Sequence, residues 1–165
     1  MSDPLATYLE DHLAGASAAI DLLESLRDQH ASEPLGPLAA QWLDAITDDR
    51  KILLQLIDRV EHGPNVGKEA AAWLAEKVSR AKLGRVSKGD LGTFQALETL
   101  SLGILGKRAL WKALAAAAAE DPRLAGLDYD ALVRGAESQF ASVEERRLAI
   151  GPRALSAPVS QPARG

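Results

Sequence analysis

The chain has 165 residues, a formal net charge of −4 and no cysteine, with 47% of its residues hydrophobic. That length fits one domain able to bury a core without staples, and the lack of cysteine excludes disulfides, thiolate metal sites and cysteine nucleophiles. The N-terminal stretch has no basic segment followed by a long apolar run, and the most apolar stretch, 109–119, is interrupted by Lys112, so neither a secretory signal nor a membrane span is expected and a cytoplasmic location is the default.

The first helix is predicted to start with Asp3 as N-cap and Pro4 at its first position. Leu5, Leu9, His12, Leu13, Ala16, Ile20 and Leu23 recur at helical spacing, with Tyr8 on the same stripe. Residues 31–36, with Pro34, break the pattern. A second helix over 37–60 carries Leu38, Trp42, Ile46, Leu53 and Leu56, and Gly63-Pro64 ends it. A shorter helix is predicted over 66–83, then a loop over 84–90. The third helix, 91–119, is apolar around most of its circumference, the pattern of the most buried helix of a bundle. Asp121-Pro122 and Gly126 mark a turn, and Asp128 caps a fourth helix running to Ile150. The bundle domain is thus expected over 3–150. Residues 151–165, with three prolines and no periodicity, are expected to be a disordered tail.

Short turns within each pair imply antiparallel helical hairpins, and the long link between the pairs implies a crossover. The fold class is therefore all-α, a four-helix bundle of two hairpins with an extra short helix in the crossover. Charge is uneven. Residues 1–49 hold ten acids and one base, Arg27, while the remainder carries a net +5. Such polarity suits self-association, and a homo-oligomer, a dimer first, is expected. The stretch Lys77, Arg80, Lys82, Arg85, Lys88 is basic but lacks interleaved aromatics beyond Trp73, so it reads as a solvated helix face and nucleic-acid binding is not expected.

Three ionisable residues sit where apolar ones are expected: His12 on the first helix, Asp49 on the second and Glu98 on the third. Buried, each needs a partner. Aligning the hairpins about their turns puts Ala16 level with Asp49, and His12 one turn away. It also puts Glu98 level with Glu144 to Arg147, and Arg147 follows Val143 at i+4. His12, Asp49, Glu98, Glu144 and Arg147 form the candidate buried polar cluster, with His12 serving Asp49 and Arg147 serving Glu98, or Arg146 if the register is off by one. His30 and His62 fall at opposite ends of an antiparallel pair and cannot converge.

This arrangement resembles the ferritin-like superfamily, in particular small bacterial members with a degenerate di-iron site. The resemblance covers about residues 8–150 and rests on helix order, the hairpin–crossover–hairpin connectivity and the carboxylates Asp49 and Glu98. It implies a di-iron site with one Glu on each of two helices and Glu-x-x-His on each of the other two. Carried over, the first position is Ala16. The second helix offers Asp49-Arg50-Lys51-Ile52, and the third keeps Glu98. The fourth offers Glu137-Ser138-Gln139-Phe140 or Glu144-Glu145-Arg146-Arg147. None of these supplies the histidine. No metal or cofactor is therefore expected, and the leading expectation is a non-enzymatic bundle acting through self-association or partner binding. The alternatives are a metal-binding or oxidoreductase bundle with an unusual site, and a bundle that binds a small ligand between its helices.

Overall fold

A computed structural model describes residues 3–62 and 86–157, and among these the chain forms four helices, one 3-10 turn and no strand. Helix α1 spans Pro4–Gln29. Asp3 caps it, its carboxylate accepting from the Leu5 N–H at 2.9 Å, and Pro4 needs no N–H at that first position. Leu9, Leu13, Leu22, Leu23 and Leu26 are buried with Ser17, whose hydroxyl donates to the Leu13 carbonyl at 3.0 Å. The turn that follows is tight. A Cβ on Gly36 would lie 2.4 Å from the His30 carbonyl oxygen, so only glycine fits.

Helix α2 spans Leu35–His62. It begins two residues earlier than the pattern predicts, with Pro37 in its first turn, where no intrahelical donor is lost. Trp42, Ile46, Leu53, Leu56 and Ile57 are its buried seam.

Helix α3 spans Gly89–Ala117. Leu97, Leu100, Ile104, Leu110, Trp111 and Leu114 are all but inaccessible, each worth about 1.5–3 kcal/mol of burial. Its outer face is in solvent nonetheless: Leu91 and Leu102 are exposed, as are Ala113 and residues 115–117. The apolar circumference thus reflects alanine on an open face as well as core.

The 3-10 turn Pro122–Leu124 leads to helix α4, Tyr129–Ala154, capped by Asp128 through the Ala131 N–H at 2.9 Å. Helix α4 does not stop at Ile150. It continues through Gly151 and Pro152 to Ala154, with Gly151 buried beside the Phe94 ring, 3.4 Å from where a Cβ would sit.

Contacts at the two ends define the topology. At one end Arg123, in the α3–α4 turn, pairs with Asp3 before α1 at 2.5 Å, and Arg59 near the end of α2 donates to the Ala125 carbonyl at 3.2 Å. At the other end Gln29 donates to the Val86 carbonyl at 3.0 Å, and Arg153 of α4 meets Asp90 of α3. His30 Nε2 lies 3.0 Å from Thr93 Oγ1, whose own hydrogen goes to the Gly89 carbonyl. So α3 begins where α2 begins, α2 and α3 run parallel, and α1 and α4 run parallel. Close packing joins α1 to α2, α3 to α4 and α1 to α3, and Trp42 Nε1 donates to Ser142 Oγ at 3.0 Å between α2 and α4. Every adjacent pair is antiparallel. The chain leaves α2 at one end and re-enters at the other. The expected crossover helix and the basic stretch from Lys77 to Arg85 lie outside the described residues, as does the end of the expected tail, 158–165. Among the described residues no helix is long and apolar enough to cross a membrane.

Candidate functional site at the bundle centre

Asp49 of α2 faces inward, and its carboxylate Oδ2 lies 2.5 Å from the Lys107 ammonium of α3. Gln139 of α4 closes the group: its amide nitrogen donates to the same oxygen at 3.2 Å, and its amide oxygen accepts from Lys107. Three helices thus meet at one ion pair whose side chains are only 16% and 14% exposed. Burial pushes the Lys107 ammonium below its ordinary pKa, while the Asp49 charge and hydrogen bond pull the other way.

His12 of α1 lines the same space as Asp49. It does not serve as the partner of Asp49; Lys107 does, and the expected pairing is corrected. A lysine stem of four carbons reaches the carboxylate from the helix diagonally across the bundle, a span that suits its length. The His12 ring instead stands edge-on to Tyr8, with centroids 4.8 Å apart. Burial holds its pKa below the ordinary 6.5, with Asp11 opposing, so the imidazole is neutral at neutral pH. The folded state therefore resists protonation, and the stability His12 allows above pH 6.5 is lost as pH falls through the lowered folded pKa. His12→Leu is expected to flatten the stability profile as pH falls below about 6.5, read by urea denaturation at each pH. An unchanged slope would show that other groups titrate there.

The remaining three residues form a separate group nearer the start of α3. Arg147 grips Glu144 with two bonds, at 2.8 and 2.5 Å, and reaches Glu98 at 3.3 Å. Ser101 donates to Glu144 at 3.2 Å, and the Arg147 guanidinium lies 5.1 Å from the Phe94 ring centre. Arg147 holds the Glu144 carboxyl below the usual carboxylate range. Glu98, however, is half exposed rather than part of the buried stripe, its side chain 52% accessible. Nine residues of helix separate Glu98 from Lys107, about 14 Å along the axis. The five expected residues are therefore two groups: Asp49 beside His12, and Glu98 with Glu144 and Arg147.

A cavity of about 90 Å³ lies between α1, α2 and α3 at the level of the ion pair. Ala16 and Asp49 both line it, with His12, Arg50, Lys107 and Trp111. Trp111 is 1% exposed, and its indole N–H has no acceptor. Sequence reasoning missed Lys107, Gln139 and Trp111 as site residues. One signal was present: Lys107 follows Gly103 and Ile104 at helical spacing, a charge inside an apolar seam. Among the described residues no three His, Asp or Glu side chains gather to hold a metal ion. No family model, curated protein or solved structure matches the chain.

Proposed function

We propose that the protein is a ferritin-like bundle that works without a metal centre, binding a partner rather than transforming a substrate. One observation carries this reading. At mid-bundle, where the superfamily gathers carboxylates and histidines around two metal ions, Asp49 is neutralised by an ammonium from α3 and accepts a hydrogen bond from an amide of α4. A buried carboxylate needs positive charge, and here a side chain supplies it and repels a competing cation. The antiparallel neighbours and the return from one bundle end to the other support the family resemblance. The test is metal analysis of the purified protein with thermal melting in the presence and absence of a chelator. No stoichiometric metal and an unchanged Tm are expected; a bound transition metal, or a fall of many degrees on chelation, would overturn the reading.

The outer surface favours association as the mode of action. Asp11, Asp21, Glu24, Asp28, Asp44 and Asp48 are all exposed on the α1–α2 hairpin, while on the other hairpin Lys88, Lys112, Arg134 and Arg153 are exposed alongside Glu98, Glu120, Asp128, Asp130, Glu137 and Glu145. The first hairpin is thus acidic and the second balanced, and bases of a second copy are drawn to the acidic face at low salt and screened from it at high salt. A dimer mass by light scattering that falls toward the monomer as salt rises is the expected result, and a monomer at every concentration and salt level would count against it.

A further inference from the structure

We propose that the cavity beside Lys107 is a binding site for a short-chain monocarboxylate, an inference that rests on the reading of a metal-free binding protein. The walls hold more donors than acceptors. Trp111 presents a buried N–H with no acceptor, and the Arg50 Nε is likewise buried and unpartnered. Lys107 has three ammonium hydrogens and makes hydrogen bonds to two side chains, Asp49 and Gln139. Among the described residues Asp49 is the only carboxylate lining the cavity, and it is already engaged. With His12 neutral, Asp49, Arg50 and Lys107 leave a formal excess of one positive charge. An unpaired buried donor is costly, so the missing occupant is an acceptor, and the charge excess makes it an anion.

Size and wall chemistry narrow the class. Ile46, Leu53, Leu100 and Ile104 supply apolar walls, which suit an alkyl chain and not a fully polar anion such as phosphate. The volume of about 90 Å³ is well below the ~150 Å³ that accepts a benzene ring. Acetate and propionate, both smaller than benzene, fit those bounds, the carboxylate toward Trp111 and Lys107 and the chain on the aliphatic wall, while butyrate, with as many heavy atoms as benzene, exceeds them. Entry lies along the α1–α3 seam. Gly15 and Gly103 line the cavity, both are exposed, and a Cβ on either would meet nothing within 4 Å.

The experiment titrates the full-length protein with acetate, propionate and butyrate by calorimetry and ligand-observed NMR. Chloride, phosphate and butanol are the comparison arms. Saturable binding of acetate and propionate with a dissociation constant on the order of 1 mM is expected, within reach of so few heavy atoms. Trp111→Phe, which keeps an aromatic six-membered ring and removes the N–H donor with the pyrrole ring, is expected to weaken it about 10-fold. Gly103→Leu, which fills the mouth without a backbone clash, is expected to abolish it while the helical circular dichroism is kept. Binding is expected to be unchanged by chelator, so a metal found in the protein would sink the metal-free reading and leave this one standing. The proposal is overturned by no saturable binding, which means water alone fills the cavity. It is equally overturned by chloride or phosphate binding as well as propionate, by loss of binding on chelation, or by wild-type affinity in both variants.

Discussion

Lys107→Met is expected to lower the unfolding free energy by about 3–5 kcal/mol, the cost of leaving a buried charge without its partner. Methionine keeps much of the lysine stem's volume, so the loss reports the charge rather than a hole. Gln139 would still donate to Asp49 at 3.2 Å, but a single neutral amide does not replace an ammonium at 2.5 Å. The second half of the experiment is more telling. Adding Asp49→Leu to Lys107→Met removes the stranded charge and is expected to return most of the loss, since apolar replacement of a buried ion pair is often neutral or stabilising. Denaturant unfolding of the wild type, both single variants and the double variant gives the coupling directly. A loss below about 1 kcal/mol for Lys107→Met would show that water already solvates the pair.

Leu124→Ala is expected to cost about 2–5 kcal/mol, although the residue sits in a three-residue turn. Leu124 is 0% exposed. Its turn packs against α2 and α3 and closes that end of the bundle. The surrounding backbone is held from both sides: the Tyr129 hydroxyl donates to the Leu124 carbonyl at 2.7 Å, and Arg59 donates to the next carbonyl, that of Ala125. With its frame fixed, the site cannot collapse onto a smaller side chain, so a cavity remains. Leu102→Ala, at a position 64% exposed on α3, is the control and is expected to change stability by less than about 0.5 kcal/mol. Equal effects for the two leucines, read by the same denaturant midpoints, would show that the turn lies outside the cooperative core.

The helices were legible in the sequence because α1 and α2 alternate apolar and charged residues at helical spacing, and because Asp3 and Asp128 are strong caps. The inward faces of α3 were not. A helix with alanine and leucine on every side has no polar face from which to judge orientation, so Glu98 was placed inward and Lys107 passed over. The end of α4 was misjudged because Gly151-Pro152 reads as a stop. In the last turn, though, the proline forgoes a single bond to the Leu148 carbonyl, a loss the helix tolerates so near its end. The cavity had no sequence signal, since it is the space left by Gly15, Ala16 and Gly103 facing one another across helices. It follows from packing, not from pattern.

The parallel course of α2 and α3 has a kinetic consequence. Each hairpin closes through a short turn and its contacts are local, so hairpins form early in folding. The bonds of Lys107 to Asp49 join residues 58 positions apart, across the long return between the hairpins, and wait on the closing of that loop. Interactions absent from the folding barrier act on the reverse reaction. The central ion pair therefore governs how long the assembled bundle persists before it opens, while the rate at which the chain first folds is set in the hairpins.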